Sequence, residues 1–228
     1  MLSPRIDPRG PDLTSEVVVV DYDAGNLRSV RRALEHAGAR AIVSDDPGVV
    51  AGARALVLPG VGAAADTMAK LRQRGLVEPL LEVIASGRPF LGVCMGMQAL
   101  FELSEEGGEH PCLGVLPGRV VRFETGAPVP HMGWNTLDVV SAHPLLAGIP
   151  SGAHVYFVHS YYPVPGDPAI VVAETEYGER FASVVARGNV LATQFHPEKS
   201  GRTGLRIYEN FVTLARSATG TAAGGAAR

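Results

Sequence analysis

A cysteine flanked by two glycines is the residue best suited to chemistry in this chain. Cys94 lies between Gly92 and Gly96, directly after the short apolar run at residues 89–93. Glycine tolerates crowded backbone and positive φ, so this spacing favours a strand that ends in a sharp turn and presents one side chain at the start of a helix. The pattern G-x-C-x-G has the form of a nucleophile elbow with cysteine in place of serine. The expected chemistry is attack by a thiolate on a carbonyl carbon.

The cysteine needs a base, because a thiol with the ordinary pKa of about 8.5 is mostly protonated at neutral pH. His196 in QFHPEKS, residues 194–200, is the strongest candidate. Glu198 lies two residues on, so in extended backbone both side chains point to the same side, and Pro197 restricts His196 to extended conformations. A carboxylate beside an imidazole fixes its tautomer and stabilises the imidazolium. Cys94, His196 and Glu198 therefore form a complete set of nucleophile, base and orienting group.

Attack on a carbonyl also needs hydrogen-bond donors for the negative charge that develops on oxygen. The elbow supplies the amide of Met95 as one donor. The second donor is expected from the loop PGVG, residues 59–62, because its glycines let an amide turn toward the site. Both loops would lie at the carboxyl ends of parallel strands, where open α/β sheets bind ligands.

Each of these segments also has a purely structural interpretation. An isolated cysteine is more often a small buried hydrophobe, a proline-flanked His and Glu are usually a solvated turn, and PGVG fits a simple tight turn. Their joint occurrence, each at the end of an apolar strand, favours the catalytic interpretation. The second cysteine, Cys112, has neither an elbow nor a nearby base and is expected to be structural or incidental.

The hydrophobic pattern predicts the elements that must position these residues. In the first half, strands are expected at 17–20, 41–43, 55–58 and 90–93, and helices at 27–37, 67–74 and 77–86. Beyond residue 104, strands are expected at 114–123, 154–158, 169–174, 181–185 and 190–195, followed by a final helix at 204–216. We therefore expect an α/β fold whose mostly parallel sheet has helices on both faces and is extended by antiparallel strands.

Length and composition limit the class of protein. The chain of 228 residues is 46% hydrophobic and 19% charged, which suits one sizeable domain, expected at residues 16–216. The stretches at 1–15 and 217–228 bury too little apolar surface to order and are expected to be flexible tails. A net charge of −3 gives no electrostatic footprint for nucleic acid or an anionic membrane surface.

The cysteines, the histidines and the length of the apolar runs indicate the cellular compartment and whether a metal is bound. The chain has only two cysteines, its apolar runs are too short to span a bilayer, and its N-terminus lacks the apolar core of a signal peptide. These features predict a reduced, cytoplasmic protein without a membrane segment. The remaining histidines show no metal-ligand spacing, so neither a metal nor a cofactor is expected.

The paired motifs GVCMGMQ, at 92–98, and QFHPEKS resemble those of the class I glutamine amidotransferases. This resemblance implies the flavodoxin-like fold of that family and hydrolysis of L-glutamine to glutamate and ammonia, which passes to a synthase partner. The segments DYDAGN at 21–26, PGVG, PHMGWN at 130–135 and FVHSYY at 157–162 are similar to those of one group of members. That group delivers ammonia to a (β/α)8-barrel cyclase subunit, in a heterodimer that serves histidine biosynthesis.

The resemblance also implies roles for individual residues. Cys94 would form a glutamyl thioester, His196 would act first as base and then as acid to the leaving ammonia, and Glu198 would orient His196. The implied oxyanion donors are the amides of Val61 and Met95. The implied substrate-binding residues are Gly60, Gln98, Glu106, His159, Ser160 and Tyr161. The implied partner-facing residues are Asn26, Trp134, Tyr156 and Lys199.

Two positions depart from the usual pattern of the family. Asp23 stands in DYDAGN where glycine is common and adds a charge near the expected interface, and Ala64 stands where an aromatic residue is common. Neither change touches the proposed triad. Trp134, Tyr156 and Tyr161 also fit simple strand packing.

The resemblance further implies regulation by the partner. The PGVG loop is expected to align only when the partner and its nucleotide ligand engage, since an idle glutaminase would waste glutamine. Such a loop is a two-state element that a remote ligand biases.

Two other functions remain open from the sequence. The triad alone would also fit a free-standing cysteine hydrolase or the glutaminase of another synthase, such as that of pyridoxal phosphate or anthranilate synthesis. PHMGWN and HSYY are the segments that separate these possibilities. A catalytically silent interaction subunit would keep the same fold, and the intact set of Cys94, His196 and Glu198 argues against it.

Overall fold

The protein is built on one large sheet and a small second sheet, described here by a computed structural model of residues 16–23, 25–124 and 126–223. The predicted N-terminal tail, 1–15, and residues 224–228 of the predicted C-terminal tail lie outside the described residues. The strands are β1 Glu16–Val20, β2 Arg40–Ser44, β3 Leu56–Leu58, β4 Phe90–Val93, β5 Leu103–Ser104, β6 His110–Pro111, β7 Gly118–Arg122, β8 His131–Val139, β9 Ala153–His159, β10 Tyr161–Pro165, β11 Val171–Glu176, β12 Arg180–Arg187 and β13 Val190–Thr193. The helices are α1 Leu27–His36, α2 Pro47–Ala51, α3 Ala64–Gln73, α4 Val77–Ala85, α5 Met95–Gln98 and α6 Gly201–Ala223.

The large sheet has nine strands in the order β2-β1-β3-β4-β13-β12-β11-β8-β9. Strands β2, β1, β3, β4 and β13 run parallel to their neighbours. From β13 onward the pairs β13 to β12, β12 to β11, β11 to β8 and β8 to β9 are antiparallel. The predicted α/β fold, a parallel sheet extended by antiparallel strands, is confirmed.

Side-chain alternation along the strands distributes the helices over both faces. In β1, Val17 and Val19 join one buried cluster with side chains of α1 and α6, whereas Val18 and Val20 join the other with side chains of α2, α3 and α4. A strand buried on both faces has no polar side, which explains the unbroken run of four valines. The carboxyl ends of β1, β3, β4 and β13 then converge on one edge of the parallel half.

The structure corrects several predicted element boundaries. Strand β8 was not predicted, because its apolar Met132 and Trp134 face outward and His131 faces the core, the reverse of the usual pattern. Helix α2 was also missed, although Asp46 caps it by accepting from the amides of Gly48 and Val49 at 2.7 and 3.2 Å. The strand predicted at 114–123 is confined to Gly118–Arg122.

Helix α6 is longer than the sequence pattern predicted. It was expected at residues 204–216, but it spans Gly201–Ala223, so residues 217–223 are helical where a loose tail was predicted. Alanine has the highest helix propensity, which favours continuation of the helix at Ala218, Ala222 and Ala223. Among the described residues no helix combines the length and the apolar character that crossing a bilayer requires.

Candidate active site

Cys94 occupies a sharp turn between β4 and α5. Its backbone adopts φ 54° and ψ −108°, outside the regions that side-chain-bearing residues usually populate. The turn is held because the Cys94 amide donates to the Thr193 carbonyl at 2.8 Å, while the Cys94 carbonyl accepts from the Met97 and Gln98 amides at 3.0 and 3.2 Å. The nucleophile elbow predicted from G-x-C-x-G is therefore formed, with the strain typical of functional turns.

The glycines on either side of Cys94 are required by close backbone contacts. A Cβ on Gly96 would lie 1.9 Å from the Leu58 carbonyl oxygen, and a Cβ on Gly92 would lie 2.7 Å from the Gly96 carbonyl oxygen. No side chain fits at either position without backbone movement. Gly96 thereby locks the elbow against the end of β3.

His196 and Glu198 form a buried pair beside this turn. His196 Nδ1 donates to Glu198 Oε1 at 2.9 Å, and the two side chains are only 3% and 2% exposed. Asn26 Nδ2 and the Tyr208 hydroxyl also donate to the carboxylate, each at 3.5 Å. His196 Nε2 has no hydrogen-bond partner among the described residues. The carboxylate fixes the tautomer and leaves Nε2 as the nitrogen available for proton transfer.

Neighbouring charges favour the protonated form of His196. Burial lowers its pKa, but Cys94 and Glu198 together raise it by more, so the net shift is upward from 6.5. Burial and the nearby Glu198 raise the pKa of Tyr208, whose hydroxyl therefore remains a donor to the carboxylate. The raised pKa suits an imidazolium at His196 that can give its proton to a leaving group.

The loop at residues 59–62 has one anchored and one exposed part. The Tyr22 hydroxyl donates to the Pro59 carbonyl at 2.9 Å. A Cβ on Gly60 would lie 2.5 Å from that hydroxyl oxygen and 2.6 Å from Met95 Cβ, so Gly60 packs against the elbow. Val61 is 42% exposed. The first two residues of the loop are thus held by contacts with Tyr22 and Met95, whereas the Val61 side chain is exposed.

A cavity of about 550 Å³ opens beside Cys94. The predicted site residues that line it are Val61, Cys94, Met95, Gln98, Glu106, His159, Ser160, Tyr161, His196 and Lys199. Glu198 and Gly60 do not line the cavity: Glu198 is hydrogen-bonded to His196, and Gly60 is buried. Glu106 Oε2 accepts from the Ala64 amide at 2.9 Å, so this carboxylate ties the cavity wall to the start of α3.

Three of the predicted partner-facing residues form one exposed cluster. Trp134 and Tyr156 meet edge to face with ring centroids 6.0 Å apart, and Lys199 Nζ lies 5.8 Å from the Tyr156 ring centroid. Trp134 is 56% exposed and Met132 is 62% exposed. Because Lys199 also lines the cavity, this apolar surface borders the candidate active site.

Asp23 is accommodated by its backbone and by an ion pair. Its φ of 65° lies in the left-handed region that glycine adopts readily, and asparagine and aspartate tolerate this region better than other residues do. Arg74 Nη2 lies 2.6 Å from Asp23 Oδ2, and Arg74 Nη1 lies 2.9 Å from Asp45 Oδ2. The added charge at the expected interface is therefore paired within the chain.

Two buried polar residues of the site were missed by the sequence reasoning. Gln194 Nε2 donates to Cys94 Sγ at 3.8 Å, and Gln194 Oε1 accepts from Gln98 Nε2 at 3.1 Å. The available signal was its position two residues before His196, which places both on one side of an extended segment. His131 is 2% exposed and lies 3.1 Å from His159, measured from Nδ1 to Nε2. Nothing in the sequence indicated that His131 is buried, because its apolar neighbours Met132 and Trp134 are the exposed residues of β8.

Because His131 and His159 are buried next to each other, we expect the protein to lose stability in acid. Burial lowers the pKa of His131 to about 4 and that of His159 to about 3, with the His131 neighbour lowering the latter further. The unfolded chain, with histidine pKa near 6.5, takes up these protons first. The contribution of His131 and His159 to the free energy of unfolding is thus fully present above pH 6.5 and falls between about pH 6.5 and 4, by up to about 2.7 kcal/mol per pH unit for the two together.

Urea denaturation at a series of pH values tests this expectation. A His131→Phe variant is the matched control, because it removes one of the two titrating groups and should reduce the slope in this range. A wild-type stability that stays constant from pH 6.5 to 4.5 would contradict the prediction.

No group of three histidine, cysteine, aspartate or glutamate side chains within the described ranges could hold a metal ion.

Comparison with known proteins identifies relatives of high similarity. Residues 18–215 match the family described as glutamine amidotransferase class-I. The imidazole glycerol phosphate synthase subunit HisH of Syntrophotalea carbinolica is 54% identical over 202 residues, covering 86% of this chain and 98% of the relative. The protein of the same name from Rhodopirellula baltica is 52% identical over 199 residues, covering 86% and 97%. A solved glutamine amidotransferase superposes with a TM-score of 0.69 at 26% identity, covering 87% of this chain and 98% of that one.

Proposed function

This chain belongs to the class I glutamine amidotransferase family, and from that premise we propose that it is the glutaminase subunit of imidazole glycerol phosphate synthase. It hydrolyses L-glutamine to glutamate and ammonia and works with a cyclase subunit in histidine biosynthesis. The relatives that are 54% and 52% identical bear the name of that subunit, which separates this function from the glutaminases of other synthases. The observation that carries the chemistry is the strained Cys94 turn facing a cavity that it shares with His196.

The arrangement of the site suits acyl transfer through a thioester. The cavity, about 550 Å³, falls within the range of roughly 300–1,000 Å³ that is usual for small-molecule sites. The Cys94 thiolate attacks the side-chain amide carbon of glutamine, and the amides of Met95 and Val61 are the proposed donors to the oxyanion. His196 gives its proton to the departing nitrogen, so ammonia leaves and a glutamyl thioester remains on Cys94.

Water completes the cycle. His196, now neutral, takes a proton from the water that attacks the thioester carbon. The carbon to sulfur bond breaks, the thiolate of Cys94 leaves, and glutamate is released. Throughout, Glu198 holds the ring through Nδ1, a role that its burial and its contacts with Asn26 and Tyr208 support.

The substrate and partner contacts also form part of the proposal. The lining residues Gln98, Glu106, His159, Ser160 and Tyr161 are proposed to bind the amino-acid end of glutamine. The exposed cluster of Trp134, Tyr156 and Lys199, together with Asn26, is proposed to face the cyclase. Residues 16–216 are proposed as the amidotransferase domain, which the family match over 18–215 supports. A cytoplasmic location remains a proposal.

Regulation by the partner follows from the two parts of the 59–62 loop. Pro59 and Gly60 are anchored to Tyr22 and the elbow, whereas Val61 is exposed beside the cavity. We propose that docking of the cyclase, with its nucleotide ligand bound, selects the conformation in which the Val61 amide serves the oxyanion. This makes ammonia production depend on the presence of an acceptor.

Measurement of glutamate release tests both the activity and its regulation. We expect slow hydrolysis by the chain alone, faster hydrolysis with the cyclase, and a rate at least tenfold higher again with the nucleotide ligand, since one oxyanion donor is typically worth 10²- to 10³-fold. Equal rates under all three conditions would refute the regulation but leave the glutaminase assignment intact. Absence of glutamate release from the liganded complex would refute the assignment itself.

A further inference from the structure

A continuous series of hydrogen bonds joins strand β8 to the nucleophile. Asn135 Nδ2 lies 3.3 Å from His131 Nε2, His131 Nδ1 lies 3.1 Å from His159 Nε2, and His159 Nδ1 lies 2.8 Å from the Tyr161 carbonyl oxygen. That carbonyl also accepts from Gln98 Nε2 at 2.8 Å. Gln98 Nε2 also donates to Gln194 Oε1, and Gln194 Nε2 donates to Cys94 Sγ, so the series ends at the nucleophile.

The chemistry of these groups fixes the direction of every bond. A carbonyl oxygen only accepts, so His159 Nδ1 carries a proton and, in the neutral ring, His159 Nε2 is the acceptor. His131 Nδ1 must then donate to it, which leaves His131 Nε2 to accept from Asn135. Asn135 is itself oriented, because its amide nitrogen donates to the Glu176 carbonyl at 2.9 Å and its oxygen accepts from the Thr136 amide at 2.8 Å. Both imidazoles are thereby restricted to one tautomer.

Packing alone does not account for a histidine at this position. The His131 ring is stacked between Phe157 and Tyr177, with ring centroids 4.7 and 4.0 Å away, and Phe123 and Phe181 surround it edge on. An aromatic hydrocarbon would fill this space without the cost of burying a polar ring. The imidazole adds one feature that phenylalanine lacks, a donor aimed at His159.

We propose that His131 is a positioning residue for the glutaminase reaction, an inference that rests on the proposed function. By donating to His159 Nε2 it fixes the His159 ring in the orientation in which the Nδ1 proton holds the Tyr161 carbonyl. Residues 159–161 line the cavity, and the same carbonyl orients Gln98, which also lines it. His131 therefore sets the shape of the glutamine site without touching the substrate.

Substitutions of His131 in the complex with the cyclase and its nucleotide ligand test this role. His131→Phe preserves the stacking but removes the donor, so the lone pair of His159 Nε2 is left buried without a hydrogen bond and the ring loses one of the two contacts that hold it against the Tyr161 carbonyl. We expect the KM for glutamine to rise by about tenfold, the usual factor for one lost buried hydrogen bond, with a smaller change in kcat. In His131→Asn the side-chain amide nitrogen is bonded to Cγ, as Nδ1 is in histidine, so it can replace the lost donor. This variant should have a KM within about threefold of the wild-type value. His131→Gln, whose amide lies one bond further out, should not restore it.

A packing control separates positioning from a general loss of order. Phe157→Leu removes a ring that stacks on His131 but breaks none of the hydrogen bonds, so it should lower the Tm and leave KM near the wild-type value. A wild-type KM in His131→Phe, or an equal rise in Phe157→Leu, would overturn the proposal. If His131→Phe does not fold, the contrast between His131→Asn and His131→Gln decides the question by the same criterion.

A spectroscopic measurement is independent of enzymatic activity. Nitrogen-15 NMR of the histidine rings in the assembled complex should show both His131 and His159 neutral, with the proton on Nδ1. A proton on Nε2 of His159 would refute the inference even in an active enzyme. A wild-type complex that releases no glutamate would refute the proposed function, whereas an active complex with insensitive His131 variants refutes only the positioning role.

Discussion

Cys94→Ser is expected to reduce glutamine-dependent turnover of the assembled enzyme by about 10⁴-fold or more, the scale seen when the nucleophile of a catalytic triad is removed. The serine hydroxyl has nearly the same size, so the strained turn and the cavity should be preserved. A hydroxyl is a far weaker acid than a thiol, however, and the neighbouring His196 cannot keep it ionised at neutral pH. Glutamate release measured with and without the cyclase gives the result directly.

Two controls confine this effect to the glutaminase step. The second cysteine, Cys112, is partly buried, its Sγ lies 3.6 Å from the His110 carbonyl oxygen, and burial raises its pKa to about 11. Cys112→Ser should therefore leave all rates unchanged. Ammonium salts supplied in place of glutamine should restore synthesis in the Cys94→Ser complex, because only the source of ammonia is missing. Residual glutamine-dependent activity above about 1% of wild type would count against Cys94 as the nucleophile.

Gly96→Ala is expected to damage both the fold and the site, although it adds only one methyl group. The added Cβ would lie 1.9 Å from the Leu58 carbonyl oxygen, a backbone atom that cannot rotate away. Either α5 or the end of β3 must shift, which we expect to lower the free energy of unfolding by about 3 kcal/mol and to abolish turnover. Urea denaturation and glutamate release together measure both effects.

The matched control for this glycine is Gly126→Ala. A Cβ at Gly126 meets no heavy atom within 4 Å, so its effect on unfolding should stay within about 0.5 kcal/mol. If Gly96→Ala were as stable and as active as Gly126→Ala, the close contact between the elbow and β3 would not constrain the site as described.

The parallel half of the fold could be predicted because its strands are simple. Strand β4 was predicted with its observed bounds, Phe90–Val93, since an apolar run that ends at a glycine-flanked cysteine marks both the strand and its end. The antiparallel half was harder. In β8 the outward Met132 and Trp134 are apolar and the inward His131 is polar, so the hydrophobic pattern indicated no strand.

The site was predictable where chemistry requires particular residue types. The sequence alone indicates Cys94, His196 and Glu198 because few residue types can act as nucleophile, base and orienting group, and the fold brings the three to one edge of the sheet. Gln194 and His131 were not predicted, because their roles depend on hydrogen bonds to residues far away in the sequence. Such partners become known only when the strands are paired.

The alternation along β8 gives this strand two simultaneous functions. Odd-numbered positions such as His131 and Leu137 are buried, and even-numbered positions such as Met132 and Trp134 are exposed. Because successive side chains point to opposite faces, an insertion or deletion of one residue would exchange the two sets completely. Evolutionary change in the length of this hairpin should therefore occur in steps of two residues, or in the turn beyond Val139, which leaves both faces intact.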